Sequence, residues 1–522
     1  MKIKSVLVSI SILFSLGTTA AFDIDAFLVR SIGGPQAYEK IKSLNSYKMT
    51  GTINWNGLKG NYRALFKTPD QVKVTAQFEL FSIEQGYDGA TAWQKDIHGR
   101  VVNLAGFEKT EFMRSVYFMS FSYLFSDRLP GRYSAYEIMD ADSAYPVNIN
   151  FYPFSNDQVR VRFDAKTGYP EYQFARLDNL EVETKLAEYK SVAGVMFPFY
   201  SISTAAGTPM INEVWIDSVV FDVEIDEADF TRPVIHHHDF HFPRDSYSVT
   251  IPFVFKNGHV LVPVEVNGVK KGWFILDTGC SATYYDTKFV GDLGLSPLGE
   301  IPSMGLGGFQ QIRLVRMDSL RIGQLNLYDQ TAGVLPLDNM AIYADKKSTF
   351  GGILGYDFFA RFPVLIDFKS EQLTVFNPQD FILPDSGVVH PFHLTLMIPT
   401  IEARINGISG DFLLDLGNAL GLIIHKKFGE SLFYYNAIDT SLSTVRGITG
   451  IGPGVAGRMI NVESLQINAY NIKIPEGVLA ESSEGLTGSW EIAGNIGTKV
   501  LEQYAVLFDY PRQRVAFYEN PK

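Results

Sequence analysis

The stretch "WFILDTGCSATYYDTKF" (Trp273–Phe289) places Asp277, Thr278 and Gly279 directly after an apolar run. One such triplet usually marks a solvated turn at the end of a strand. Its meaning changes because its surroundings occur twice. "LVPVEVNGVKKGWFILDTGCSATYYD" (261–286) is repeated in outline by "IPTIEARINGISGDFLLDLGNALGLII" (398–424). Each copy reads as an alternating strand, an Asn-Gly turn, a second strand and then Asp-x-Gly. Gly268 precedes Asp277 by nine positions, and Gly407 precedes Asp415 by eight.

The downstream halves repeat as well. "GGILGYDFFARFPVLIDFKSEQLTVFN" (351–377) pairs with "AGNIGTKVLEQYAVLFDYPRQRVAFYE" (493–519). Gly355 lies twelve positions before Asp367, and Gly497 lies twelve before Asp509. Asp277 to Gly355 spans 78 positions and Asp415 to Gly497 spans 82. Four matches in order identify residues 249–522 as an internal duplication. Two lobes related in this way can bring Asp277 and Asp415 together across a pseudo-twofold axis. Carboxylates held side by side share one proton, which supplies an acid and a base at one site. The base activates a water, and the acid protonates the oxygen of a carbonyl under attack. Gly279 and Gly417 permit tight loops, while Gly355 and Gly497 permit a segment to pass close behind them.

These residues resemble the retropepsin-like and pepsin-like aspartic proteases. The resemblance is carried by Asp277-Thr278-Gly279 and "ILGYDFF" (353–359) in the first lobe, and by Asp415-Leu416-Gly417 with Asn495-Ile496-Gly497 in the second. It implies an all-β bilobal enzyme that hydrolyses peptide bonds without metal, cofactor or covalent intermediate, with Asp277 and Asp415 as the dyad. It also implies a flap, for which "SMGLGGFQQ" (303–311) with Gly305, Gly307 and Gly308 is the candidate; "RGITGIGPG" (446–454) holds the comparable place in the second lobe. Leu416 departs from the Thr or Ser the family places there, and the missing hydroxyl costs on the order of 1 kcal/mol. Cys280, the only cysteine, has two aspartates and no base nearby in sequence, so it reads as a small buried filler rather than a nucleophile.

Ahead of the duplication, residues 45–230 alternate apolar and polar positions between turn residues, as in "YKMTGTINW" and "QVKVTAQF". "NGLKG" reads as a hairpin turn, and "PQAYEKIKSL" (35–44) as a short helix. "GGPQAYEKIKSLNSYKMTGTI", "FKTPDQVKV", "GYDGATAWQKD", "EYKSVAGVMFPFY" and "VEIDEADFTRP" follow the order seen in outer-membrane lipoprotein carrier-like proteins. That resemblance, over 33–233, implies a curved antiparallel sheet, an incomplete barrel, that could hold a lipid or hydrophobic ligand. Residues 232–248 carry four histidines and two prolines. His236, His237 and His238 alternate in direction on an extended chain and do not converge with His241 and Asp239 on one ion. The segment 234–248 therefore reads as a linker and not as a metal site.

Residues 1–21 have the basic start, short apolar run and small-residue end of a secretory signal. With a single cysteine and no later apolar run long enough to span a bilayer, the expectation is an exported protein of the bacterial periplasm, with no integral membrane segment after signal removal. A net charge of −12 gives no basic face for nucleic acid. The chain thus divides into 1–21 (signal), 22–233 (β-domain), 234–248 (linker), 249–385 (lobe one) and 386–522 (lobe two). The expected activity is an aspartic endopeptidase acting on a peptide or protein. The alternative is a non-catalytic peptide- or lipid-binding protein with a degenerate second lobe. In a third reading, 22–233 regulates the lobes by covering their cleft.

Overall fold

The computed structural model describes residues 22–519, except 80, 130, 138–147, 155–156, 235–238, 245, 292, 296, 338–339, 341–348, 386, 436–444, 469, 473 and 475–476. The signal segment and His236–His238 lie outside the described residues. No described helix is long and apolar enough to cross a membrane. Strands make up 53% of the chain and helices 14%, so the fold is mainly β.

The N-terminal domain is a thirteen-stranded meander in which Ser46–Trp55 pairs antiparallel with the last strand, Ile211–Phe221. Its edges, Val101–Asn103 and Arg132–Glu137, do not pair with each other, so the sheet curves without closing. Asn56 and Gly57 take φ of 51° and 94° in the first hairpin, the geometry that Asn-Gly favours in two-residue turns. One face of the sheet is filled rather than hollow. Phe112, Met113, Val116 and Tyr117 from the helix Gly106–Met119 pack there with Phe27, Ile41, Phe66, Phe151 and Phe197. A hydrophobic ligand on this face would have to displace that helix.

Each lobe of the duplication is built around the same crossing. In lobe one, Lys270–Leu276 runs parallel to Phe350–Leu354, and Tyr284–Asp286 pairs antiparallel on the other side of Phe350–Leu354. In lobe two, Ile408–Asp415 runs parallel to Ile492–Gly497, with Leu422–Ile424 in the equivalent place. Close passage explains the glycines of the crossing: a Cβ at Gly355 would collide with the carbonyl of Ala282, and one at Gly497 with that of Leu420. Residues 248–252, 363–367, 372–376, 388–391, 504–509 and 514–519 form one six-stranded sheet shared by both lobes. At its centre Pro363–Asp367 pairs antiparallel with Tyr504–Asp509, and Leu365 faces Leu507. Those two leucines hold the same place in the two repeats, so the pseudo-twofold axis passes between them.

The segment expected to be a linker is fastened near its middle, at Asp239–His241. Phe240–His241 pairs with Leu325–Leu335 of the lobe-one sheet. Asp239 accepts from Arg100 of the N-terminal domain at 2.8 Å and from Arg361 of lobe one at 2.5 Å. Both guanidiniums are almost fully buried, and burial pulls Arg100 down to about 10. Removing the anion would leave two cations buried side by side, a loss that typically costs about 3–5 kcal/mol. Asp239→Ala should therefore lower the unfolding free energy of the full chain, read by denaturant titration, by an amount of that order, whereas Asp127→Ala, on an exposed turn, should leave it unmoved.

Candidate active site

Both sequence-predicted aspartates end a buried strand, and the cross-lobe packing brings their loops into contact. Thr278 is fully buried; its Oγ1–H donates to the carbonyl of Leu414 at 2.8 Å and accepts from the N–H of Leu416 at 3.0 Å. The N–H of Gly279 donates to Asp277 Oδ1 at 2.7 Å, and the N–H of Gly417, from the other lobe, donates to the same oxygen at 3.0 Å. Asp415 Oδ1 accepts from the N–H groups of Gly417 and Asn418 at 2.9 and 3.1 Å. A side-chain hydrogen bond joins the two carboxyls. Neither glycine has room for a methyl group: a Cβ at Gly279 would meet the Asp415 carboxylate, and one at Gly417 the Asp277 carboxylate.

The electrostatics follow from this packing. Asp277 is held well above the carboxylate range, first by burial and then by the charge of Asp415. Asp415 is also raised by burial, but it has more donors: Asn495 Nδ2 reaches its Oδ2 at 2.7 Å in addition to the two amides on Oδ1. Donors aimed at a carboxylate favour its charged form. Asp277 is thus the partner that keeps the proton and Asp415 the partner that ionises. Burial, followed by the charge of Asp277, also pushes Cys280 up, so no thiolate forms there.

The cross-lobe grip is one-sided. Leu416 is completely buried and faces the main core rather than the cleft. It has no hydroxyl to return the bonds that Thr278 makes. Its carbonyl accepts from Thr498 Oγ1 at 3.0 Å, and the buried Tyr510 hydroxyl lies 3.4 Å from the carbonyl of Thr278. These contacts tie the second loop to its own lobe and the first loop to lobe two.

Gly305 and Gly308 close the hairpin between Gly299–Gly305 and Gly308–Ile322, with Leu306 and Gly307 at its tip. The tip is docked. The N–H of Leu306 donates to the carbonyl of Ile451 at 3.2 Å, and the N–H of Thr487 donates to the carbonyl of Leu306 at 3.1 Å. Gln310 Oε1 accepts from the N–H of Gly452 at 3.1 Å. Gly307 tolerates no side chain against Pro453 and Val455. The hairpin of 445–460 in lobe two thus meets the tip of the lobe-one hairpin.

Three residues near the aspartates escaped sequence reasoning. His259 places Nε2 3.1 Å from the carbonyl of Gly417 and Nδ1 3.2 Å from that of Asn257. Asn495 holds Asp415 directly, and the fully buried His425 holds Asn495. Asn495 stands in the sequence reading as the first residue of Asn495-Ile496-Gly497, a looser match to Ile353-Leu354-Gly355, and its polarity where lobe one has Ile353 was the available signal for this role. His425 and His259 carried none.

A family model described as aspartyl protease matches residues 262–358, which include Asp277 and Gly355 but stop short of lobe two. Among solved structures, the chain is similar to the aspartic proteinase from Irpex lacteus at 12% identity and a TM-score of 0.32, over 52% of this chain and 97% of that one. A search of curated proteins returns no match.

The raised Asp277 pKa has a consequence for stability. An acid whose folded pKa lies above its unfolded value stabilises the fold fully below the unfolded pKa, and that contribution is lost as pH rises toward the folded pKa. Asp277→Asn removes the penalty of keeping a buried proton or charge. Its melting temperature should exceed that of the parent at pH 7, and the difference should vanish near pH 3, as read by calorimetry at both pH values.

Proposed function

We propose that the chain is an aspartic endopeptidase in which Asp415 activates a water and Asp277 protonates the carbonyl oxygen of the peptide bond. The observation that carries this reading is the amide of Gly417, which donates to the carboxylate of the opposite lobe while also holding its own. A degenerate cleft kept only for binding would have no need to hold two carboxyl groups in mutual contact at a site where burial penalises the charge of either. In the reaction the water loses its proton to Asp415 as its oxygen attacks the carbonyl carbon. Asp277 gives its proton to the carbonyl oxygen, producing a neutral gem-diol. Collapse of that intermediate returns a proton to Asp277 from one hydroxyl, while the proton on Asp415 passes to the departing amine nitrogen. The peptide C–N bond breaks and the dyad regains its starting state. The two hairpins over the site would seat an extended peptide and exclude bulk water.

The segment 1–21 supports export as part of the same proposal, with the periplasm as the compartment. The substrate is taken to be a peptide or protein in extended form. For residues 22–233 we propose a clamping role. Asp178 Oδ1 accepts from the N–H groups of Trp490 and Glu491 at 2.7 and 3.1 Å, and Arg176 lies over the Trp490 ring at 3.7 Å. That segment continues from Thr487, which holds the flap tip through Leu306. Ile53, Phe78 and Phe81 also pack with Ile301, Ile312 and Tyr284 of lobe one.

Digestion of a peptide library across pH 3–8 tests the reading. Asp277→Asn and Asp415→Asn should each lower kcat by at least ~10³-fold without unfolding the chain, since each removes one of the two proton-transfer partners. A statine-type peptide, whose hydroxyl mimics the intermediate, should inhibit, and a chelator should not. Near-parental turnover in either variant would sink the pairing.

A further inference from the structure

Behind Asp415 lies a polar chain that lobe one lacks. Asp415 Oδ2 accepts from Asn495 Nδ2 at 2.7 Å, and Asn495 Oδ1 lies 2.7 Å from His425 Nε2. His425 Nδ1 in turn lies 3.1 Å from the carbonyl of Ile492. Asn495 and His425 are both essentially without solvent exposure. In lobe one the corresponding strand crossing pairs Tyr284 with Ile353, an apolar residue where Asn495 stands, and Asp286 stands where His425 does. Asp286 caps the helix Thr287–Gly291 by accepting from the N–H groups of Lys288 and Phe289. His425 precedes the helix Lys426–Tyr434 but makes no side-chain cap. Its ring is turned inward toward Asn495 instead.

The donors and acceptors of this chain fix its proton states. Both nitrogens of His425 face oxygens that only accept. That arrangement requires an imidazolium, with Asn495 presenting its NH2 to an ionised Asp415. The second arrangement is reached by rotating the Asn495 amide half a turn. Its NH2 then donates to a neutral Nε2, and its oxygen accepts from a protonated Asp415. The two arrangements contain the same number of protons; one proton has left the imidazole and one has been added to the carboxyl. Burial pulls His425 down to about 4 and so works against the imidazolium of the first arrangement, while the ionised Asp415 of that arrangement gains the Asn495 donor. Among the described residues, Asp178 acts on the ring from the turn between Pro170–Leu177 and Leu180–Val192; Lys426 follows it in sequence, Asp411 and Asp415 belong to the strand paired with Ile492–Gly497, and Glu491 precedes Ile492.

We propose that His425 and Asn495 are positioning residues that share one proton with Asp415 and so determine whether Asp415 is available as the base. This deepens the proteolytic reading and rests on it for its catalytic consequence. The protonated His425 selects the amide orientation that stabilises the Asp415 carboxylate. The neutral ring selects the orientation that stabilises the acid form and withholds the base. Because only lobe two carries the chain, it also distinguishes the two aspartates from one another.

The test separates the relay from the proteolysis. Nitrogen-15 NMR of the full chain follows the His425 ring across pH 3–8 in the parent, in Asp415→Asn and in Asp178→Asn. The relay requires the apparent His425 pKa to fall by about one unit in Asp415→Asn, and by less in Asp178→Asn. An unchanged titration in Asp415→Asn, or a larger shift in Asp178→Asn, would overturn it. The second arm is the pH profile of kcat/KM. In Asn495→Leu the acid limb should move up by about one unit, because Asp415 loses a donor and the nearby cation. In His425→Gln, which keeps an amide donor for Asn495 without a charge, the limb should move in the same direction by less. A uniform drop in rate with an unmoved acid limb would reduce both residues to packing and overturn the proposal. If the parent hydrolyses no peptide, the proteolytic reading fails and the NMR arm alone decides the relay.

Discussion

Two carboxyl groups buried against one another are the constraint that organises this molecule. Each loses hydration, and each raises the cost of ionising the other. The arrangement persists because backbone amides are aimed at the charge from both lobes. Gly417 N–H serves Asp277 and Asp415 together, Gly279 N–H serves Asp277, and Asn418 N–H serves Asp415. Backbone donors are fixed by the strand ends that carry them, so they need no reorganisation when charge moves between the two acids. Glycine at both loops follows directly, since a side chain at either would occupy the place of the opposite carboxylate.

Everything farther out secures that contact. The pairing of Leu365 with Leu507 places the lobes symmetrically about the dyad. The Thr278 hydroxyl binds the two loops by one donated and one accepted bond. A single hydroxyl contributes only about 1 kcal/mol net, so the six-stranded sheet and the merged core must fix the lobes. Thr278 then refines their spacing. Leu416 fits this view: its burial in the shared core substitutes apolar packing for the hydrogen bonds that a second hydroxyl would make. The absent hydroxyl marks a different means of holding the loop, not an open gap in it.

The duplication, the Asn-Gly hairpins and the strand alternation were legible because they depend on local periodicity and on left-handed turns. Asn267 and Asn406 take φ of 51° and 47°, as such turns require. The helix over 35–44 was legible through Pro35, and it spans Pro35–Lys42. Gly305 and Gly308 stand at a hairpin turn, as the resemblance implied for the 303–311 stretch. What stayed hidden depends on partners far apart in sequence. Nothing local shows that Asp239 would bind Arg100 and Arg361, so its segment read as a tether. Alternation of apolar residues cannot report what fills a concave face, and the packed helix Gly106–Met119 answered that only in three dimensions. His425 and Asn495 stand 70 positions apart; His425 belongs to no motif, and Asn495 was legible only as the first residue of Asn495-Ile496-Gly497, not as a partner of Asp415.

The two halves of the repeat have thus diverged in complementary ways. Lobe one keeps the hydroxyl that joins the loops and surrounds its aspartate with apolar residues at Ile353 and Cys280. Lobe two gives up the hydroxyl and places Asn418, Asn495 and His425 around its own. Symmetry of the backbone brings the acids together, but perfect symmetry would leave them equivalent, with the shared proton indifferent to which carboxyl holds it. Unequal environments remove that degeneracy. Burial and the charge of Asp415 raise Asp277, and a third donor favours the anion at Asp415, so the two carboxyls are not equivalent holders of a proton. The departures from the repeat concentrate where an identical copy would have been chemically ambiguous.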